Sequence, residues 1–195
     1  TGENAEAVFL LYFDWSDISV SNIQIISNNV FSSAWGHLIY STRPMKFNRA
    51  LIMGNHTIDQ LFIGDEFQMI NSTIVDNTAP CIIDDGGSFN INIFINSIIW
   101  DNHTEEGYIC ENEAFPEATY AWYSNFDQMI GIGSDNIYTD PLFIDSENGN
   151  FELQSNSPCI DAGTSFFTLE PDTLINLSND DYIGSVNGQN LSFNT

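Results

Sequence analysis

The sequence predicts an all-β parallel β-helix, a solenoid of about five to seven coils with a closing C-terminal segment. Three observations lead there: a repeat of 22 to 27 residues, an Asn at the same place in each copy, and sparse helical patterning. Four copies align: Asn22-Ile23-Gln24-Ile25-Ile26-Ser27-Asn28, Arg49-Ala50-Leu51-Ile52-Met53-Gly54-Asn55, Asn71-Ser72-Thr73-Ile74-Val75-Asp76-Asn77 and Asn96-Ser97-Ile98-Ile99-Trp100-Asp101-Asn102. A weaker fifth begins near Tyr123-Ser124-Asn125-Phe126.

The closing Asn falls at 28, 55, 77 and 102, with spacings of 27, 22 and 25. That period suits a coil of two or three short strands, which buries its apolar residues only by stacking on neighbours. Equivalent positions then lie roughly 4.8 Å apart. Asn28, Asn55, Asn77 and Asn102 are expected to turn a corner in left-handed backbone and to stack as an amide ladder. Ile23, Ile25, Leu51, Ile74 and Ile98 are expected to point inward. A β-sandwich of irregular short strands is the competing architecture, because the spacing varies. Residues 1–136 read as coils and 137–195 as a closing segment of the same domain. Glu111 to Ala121 reads as a short helical turn or an excursion from the coil.

With 27 acidic residues, 3 Lys plus Arg and a net charge of −24, the surface repels phosphate backbones and anionic headgroups. Nucleic-acid binding and membrane insertion are therefore not expected. An apolar content of 43%, spread along the chain, argues against disorder. The acidic surface either faces water or holds divalent cations, of which Ca²⁺ suits clustered carboxylates.

Three cysteines, Cys81, Cys110 and Cys159, occur without a C-x-x-C spacing, so zinc and thioredoxin-like chemistry find no support. Cys81 and Cys110 are 29 positions apart, about one coil, and either pair or remain buried thiols. Thr1-Gly2-Glu3-Asn4 is not the basic start of a signal peptide, and no apolar run reaches the roughly 18 residues of a membrane span. The apolar run from Val8 to Phe13 reads as a buried coil continuing upstream, so coils or a cap are expected before Thr1.

The later sequence changes character. Asp140-Pro141-Leu142-Phe143-Ile144-Asp145 leads to Asn148-Gly149-Asn150-Phe151-Glu152-Leu153, then Ser157-Pro158-Cys159-Ile160-Asp161-Ala162-Gly163, then Asp181-Tyr182-Ile183-Gly184. Pro141 cannot donate to a ladder. Asn148-Gly149 is a tight-turn signal, and Pro158, Asp161 and Gly163 are turn residues. The segment is expected to cover the open edge of the last coil. This order of motifs resembles the end of the secreted bacterial right-handed parallel β-helix repeat family, pectin-lyase-like in fold. The resemblance covers about residues 138–184 well and the Asn-rich coils more loosely. Asn150 stands where the family usually has Asp, and the Arg that often precedes the final D-I-G is missing. The resemblance implies a secreted or cell-surface protein served by secretion or anchoring machinery of the envelope, including the type IX route. Asp172-Thr173-Leu174 also resembles a short O-glycosylation acceptor.

Lyases of such folds use carboxylates holding Ca²⁺ and a nearby Arg or Lys. Here Arg43, Lys46 and Arg49 lie within seven residues, flanked by His37 and His56 and followed by Asp59, Asp65 and Glu66. They form either a receptor for an anionic sugar or surface ion pairs, which contribute about 0–1 kcal/mol each. Hydrolases use paired carboxylates, for which Asp84-Asp85 before two glycines is the candidate; an exposed Asp-Gly turn is the alternative. Asp76 and Asp101, at equivalent repeat positions, and Asp145 with Glu147, in an oxygen-rich turn, are the Ca²⁺ candidates. His37, His56 and His103 show no zinc-ligand spacing.

Trp100, Tyr120, Trp122 and Tyr123 are candidate sugar-stacking aromatics, with core packing as the alternative. No catalytic constellation is complete. The expected function is an extracellular or cell-surface β-helix with a structural, adhesive or glycan-binding role toward polysaccharide or other surface molecules. The alternative is a polysaccharide lyase or glycoside hydrolase.

Overall fold

The computed structural model describes residues 8–13, 18–31, 36–64, 66–84, 91–105, 107–110, 119–129, 132–169, 172–176, 182–186 and 189–192. The chain is a parallel β-solenoid. Its first tier holds β1 (Val8–Phe13), β2 (Ile18–Ser21), β3 (Gln24–Ile26) and β4 (Asn29–Val30). The second holds β5 (Gly36–Ser41), β6 (Met45–Asn48), β7 (Leu51–Met53) and β8 (His56–Thr57). The third holds β9 (Phe62–Gly64), β10 (Phe67–Ile70), β11 (Thr73–Val75) and β12 (Thr78–Ala79). The fourth holds β13 (Ile83–Asp84), β14 (Asn92–Ile95), β15 (Ile98–Trp100) and β16 (His103–Thr104). A fifth holds β17 (Ile109–Cys110), β18 (Thr119–Trp122) and β19 (Asn125–Phe126).

Like strands stack in parallel into three sheets of five strands and one of four. Among the described residues four tiers are complete, fewer than the five to seven coils expected, and each uses four strands rather than two or three. The register pairs Gln24, Leu51, Thr73, Ile98 and Asn125 in one row, so all five aligned copies are true structural equivalents.

Inward residues alternate with outward ones, as a half-buried strand requires. Ile25, Ile52, Ile74, Ile99 and Phe126 fill the core from the third sheet. Leu51 and Ile98 sit one position away on the outward face, correcting the inward placement expected for them. A one-residue shift moves a side chain to the other face. Phe47, Phe62, Phe67 and Phe94 complete an aromatic spine, with Phe47–Phe62 and Phe62–Phe67 centroids 6.0 and 5.4 Å apart. Cys81 is buried and disulfide-bonded, and Cys159 is free. Cys110, the remaining cysteine of the sequence, lies on β17 of the next tier.

Two polar ladders run through the corners. In the first, the Asn28 amide nitrogen donates to Asn55 Oδ1 (2.9 Å), Asn55 to Asn77 (2.8 Å) and Asn77 to Asn102 (2.9 Å). Each backbone N–H of Asn28, Asn55 and Asn77 donates to the same next-tier oxygen. Asn102 ends the run by donating its N–H to Tyr108 Oη at 3.3 Å, and Tyr108 passes its own proton toward Asp127 at 2.5 Å. Burial, with the bond to Asp127 adding to it, pushes the Tyr108 hydroxyl well above the ordinary phenol range. The left-handed residues are not these asparagines but those just before them: Ser27, Gly54, Asp76 and Asp101. The preceding residue makes the bend, which leaves the Asn side chain free to turn inward.

The second ladder is of serines. Ser72 Oγ accepts the N–H of Ala50, Ser97 that of Ser72, and Ser124 that of Ser97, each at 3.1 Å. Ser97 Oγ also donates to the Ile95 carbonyl. Ser97→Ala would strand the buried N–H of Ser72, and we expect a loss of about 1–3 kcal/mol, measured as a lower urea midpoint.

The end of the stack is closed by residues 132–139. Ala121 N–H donates to the Ile132 carbonyl, Ile132 N–H to Thr119 and Ile137 N–H to Ser124. Asn136 accepts the Ser124 N–H, which extends the serine ladder by one step. Gly133 packs so closely under Ala121 that an added Cβ would stand 1.7 Å from its carbonyl oxygen.

Residues 141–169, expected to cover the last coil, instead run back along the outside of the tiers. β20 (Phe143–Asp145) and β21 (Asn150–Leu153) form an antiparallel hairpin, with Gly149 at φ 78° in its turn. The Asn148-Gly149 turn lies beside Met53 of the second tier. β22 (Phe166–Leu169) pairs with β23 (Asp172–Asn176), and Phe167 packs over the outward face of the second sheet against Trp122, beside Ile70 and Ile95. That cover explains why β14 is buried at all four positions. β24 (Tyr182–Val186) and β25 (Gln189–Ser192) form a further hairpin.

Candidate functional site

The corner between the second and third sheets carries a row of left-handed residues: Asn22, Arg49, Asn71, Asn96 and Tyr123, with φ from 51° to 59°. Asn occupies such backbone easily, whereas for other L-residues it costs roughly 1–2 kcal/mol. Arg49 and Tyr123 are therefore the strained members, and held strain of this kind collects at functional positions. Asn71 donates to Asn48 at 3.1 Å, and Asn96 to Asn71 at 3.0 Å, giving this corner an outer amide row.

Beside this corner runs a groove of about 570 Å³. Its floor is the outward row of the third sheet, apolar at Leu51 and Ile98 and polar at Gln24 and Thr73. Its far wall is the returning segment, through Leu153 and Cys159 to Gly163. Arg49 is the single cation of the lining and Asp161 the single carboxylate. Arg49 makes no ion pair within 4.0 Å among the described residues, and its Nε is buried without a hydrogen-bond partner. In a chain of net charge −24, that leaves a guanidinium uncommitted beside an open groove.

The other cations do not join it. Lys46 alternates outward on β6, in register with Ser19 and Gln68 on the second sheet. Arg43 is exposed in the turn before β6. The seven-residue cluster thus spreads over two corners and a sheet face, because the chain bends twice within it. His37 is buried with Nε2 3.9 Å from Asp59, while His56 is exposed and edge-on to Phe31. Glu66 accepts the amide of Gln68 at 2.8 Å. Asp84 lies on β13 opposite Ile63 and Cys110. Its side chain, and all of Asp85, Asp65 and residues 111–118, lie outside the described residues.

Asp76 and Asp101 are both exposed at the corner before the Asn ladder, and the Asp101 N–H donates to Asp127. Both oxygens of Asp145 accept the Asn148 amide at 2.9 Å, closing the hairpin turn beside exposed Glu147. Among the described residues no three His, Cys, Asp or Glu side chains gather as a metal site.

Trp100 is half-buried on the third sheet, level with Val75 and Met53. Tyr120 and Trp122 stack on each other, 5.7 Å apart and 11° from parallel. Phe167 lies 5.0 Å from Trp122 and 6.3 Å from Tyr123, so these two rings hold the returning segment as well as facing outward. Within that segment, Ser157 donates to the carbonyl of buried Pro141 at 2.5 Å, and exposed Asp161 is left-handed at φ 58°. Pro158 is exposed in the turn between them. Gly163 lies against Asn96, where a Cβ would stand 3.2 Å from the amide.

Sequence reasoning missed Asn22, Asn71 and Asn96 as wall residues. The signal was present: they open the same aligned copies whose closing asparagines drew attention, and Arg49 holds that opening place in the second copy.

Comparison with family models, with curated proteins and with solved structures finds no match.

Proposed function

We propose that this solenoid is an extracellular or cell-surface protein that binds acidic polysaccharide along the corner groove, in an adhesive or structural role. The observation that carries the reading is Arg49: a guanidinium without an ion pair among the described residues, on a groove whose remaining polar lining is chiefly amides and hydroxyls. Arg recognises carboxylate through paired N–H donors, and amides suit sugar hydroxyls. Tier spacing of roughly 4.8 Å repeats these groups along the axis, in the manner a linear chain of sugars would require. The Cys81 disulfide supports an oxidising compartment. The closing motifs support kinship with secreted pectin-lyase-like proteins and export by envelope machinery such as the type IX route. A Ca²⁺ role is proposed apart from the groove, at exposed Asp76 and Asp101 on the opposite corner of the third sheet.

The test is a glycan array with and without Ca²⁺, using the wild type and Arg49→Ala, read for binding and for unsaturated sugar product. Binding of uronate-bearing glycans, weakened about tenfold or more in Arg49→Ala, is expected. Equal binding by both proteins, or none by either, would overturn the reading; unsaturated product would replace it with a lyase.

A further inference from the structure

The returning segment is tied to the solenoid very differently from the way the tiers are tied to one another. Adjacent tiers share continuous backbone hydrogen bonds. Among the described residues, the backbone–backbone bonds of residues 141–169 stay within the segment or join it to β23: Gly149 to Ser146, Gln154 to Leu142, Ser157 to Gln154, Ile160 to Ser157, and the hairpin pairings. Among the described residues its polar links to the solenoid are three, and all use side chains. Asn96 receives the Thr164 N–H and donates to the Thr164 carbonyl, both at 2.8 Å. Asn125 donates to Cys159 Sγ at 3.0 Å. Phe167 supplies the main apolar anchor, against Trp122. Beneath the segment, Asn125 is 2% exposed yet its Oδ1 has no partner, so the seat is imperfectly satisfied. Ile144, Ile160 and Phe166 face outward at 50%, 43% and 57% exposure.

We propose that residues 141–169 form a strap that lifts off the solenoid as a unit, pivoting about Asp140, and so opens and closes the groove. The anchor before the pivot is secure, because the Thr139 carbonyl accepts the Asn125 amide and Ile137 is bonded to the last tier. Beyond it, a few side-chain latches and one aromatic ring hold the wall in place. Elements with few buried contacts and no shared backbone ladder open well below the free energy of global unfolding. The inference concerns the groove on which the proposed glycan binding rests, but its test uses no glycan, so the two stand or fall separately.

Cys159 is the free thiol on the strap itself, its Sγ turned to Asn125 of the solenoid, and its burial pushes its pKa up, which suppresses reaction while the strap is closed. Alkylation by iodoacetamide, followed by intact mass, therefore reads strap release. The wild type should label about tenfold or more slowly than a short cysteine peptide, and Phe167→Ala about tenfold faster than the wild type with an unchanged β-sheet circular dichroism spectrum. Equal rates in the two proteins, or a wild-type rate matching the peptide, would overturn the proposal. Should Phe167→Ala fail to fold, hydrogen exchange on the wild type decides: amides of 141–169 exchanging together and ahead of those in residues 36–104 support the strap. Exchange of both regions only in concert refutes it.

Discussion

Asn77→Ala is expected to lower stability by roughly 3–6 kcal/mol, because it strands several buried partners at once. Asn77 is fully buried. Its Oδ1 serves both the N–H and the side-chain amide of Asn55, and its own amide serves the Ile52 and Val75 carbonyls and Asn102. Alanine offers none of these groups, and the cavity is too enclosed for water to replace them all. Asn28→Ala, at the half-buried first step, should cost only about 1 kcal/mol, since it supplies donors and water can reach the site. Urea denaturation of both variants measures the contrast. Similar midpoints would show that the ladder contributes through packing alone.

Gly133→Ala should be nearly as damaging, by a different route. A Cβ 1.7 Å from the Ala121 carbonyl cannot be relieved by a rotamer change, because the obstacle is backbone. Residues 132–139 would have to leave their place, breaking the bonds from Ala121 to Ile132 and from Ile132 to Thr119. We expect a loss of roughly 3 kcal/mol or more, together with self-association through the uncovered edges of β18 and β19. Light scattering would show the association. A variant with the wild-type midpoint and hydrodynamic size would mean that this segment does not guard the end of the stack.

The solenoid was legible because its physics is periodic. An Asn buried at each tier must find another Asn above or below it, so the closing residues of the copies carry a signal that no single strand carries. The same pattern also places Asp76 and Asp101 at one corner and Trp100 beside Val75. The groove was not legible, because its two walls come from residues that the sequence keeps far apart. Nothing local joins Arg49 to Asp161, or Asn96 to Thr164. The run of Arg43, Lys46 and Arg49 shows the opposite limit: residues close in sequence straddle corners, and a corner sends neighbours to different faces. The hairpin at Asn148-Gly149 was visible from turn chemistry, but the surface on which it lies was not. Turn residues specify local bends and carry no information about which face of a distant sheet is left apolar.

The Asn ladder also has a direction. In each of the three links between asparagines the amide of the earlier tier donates to the oxygen of the later one, so the four side chains form a head-to-tail row of dipoles. Such a row polarises itself, and each link strengthens when its neighbours are in place. The molecule should consequently behave less like a globule with one melting core than like a zipper whose teeth are coupled to nearest neighbours. Fraying then starts where a tooth has only one neighbour, and the middle tiers are the last to part.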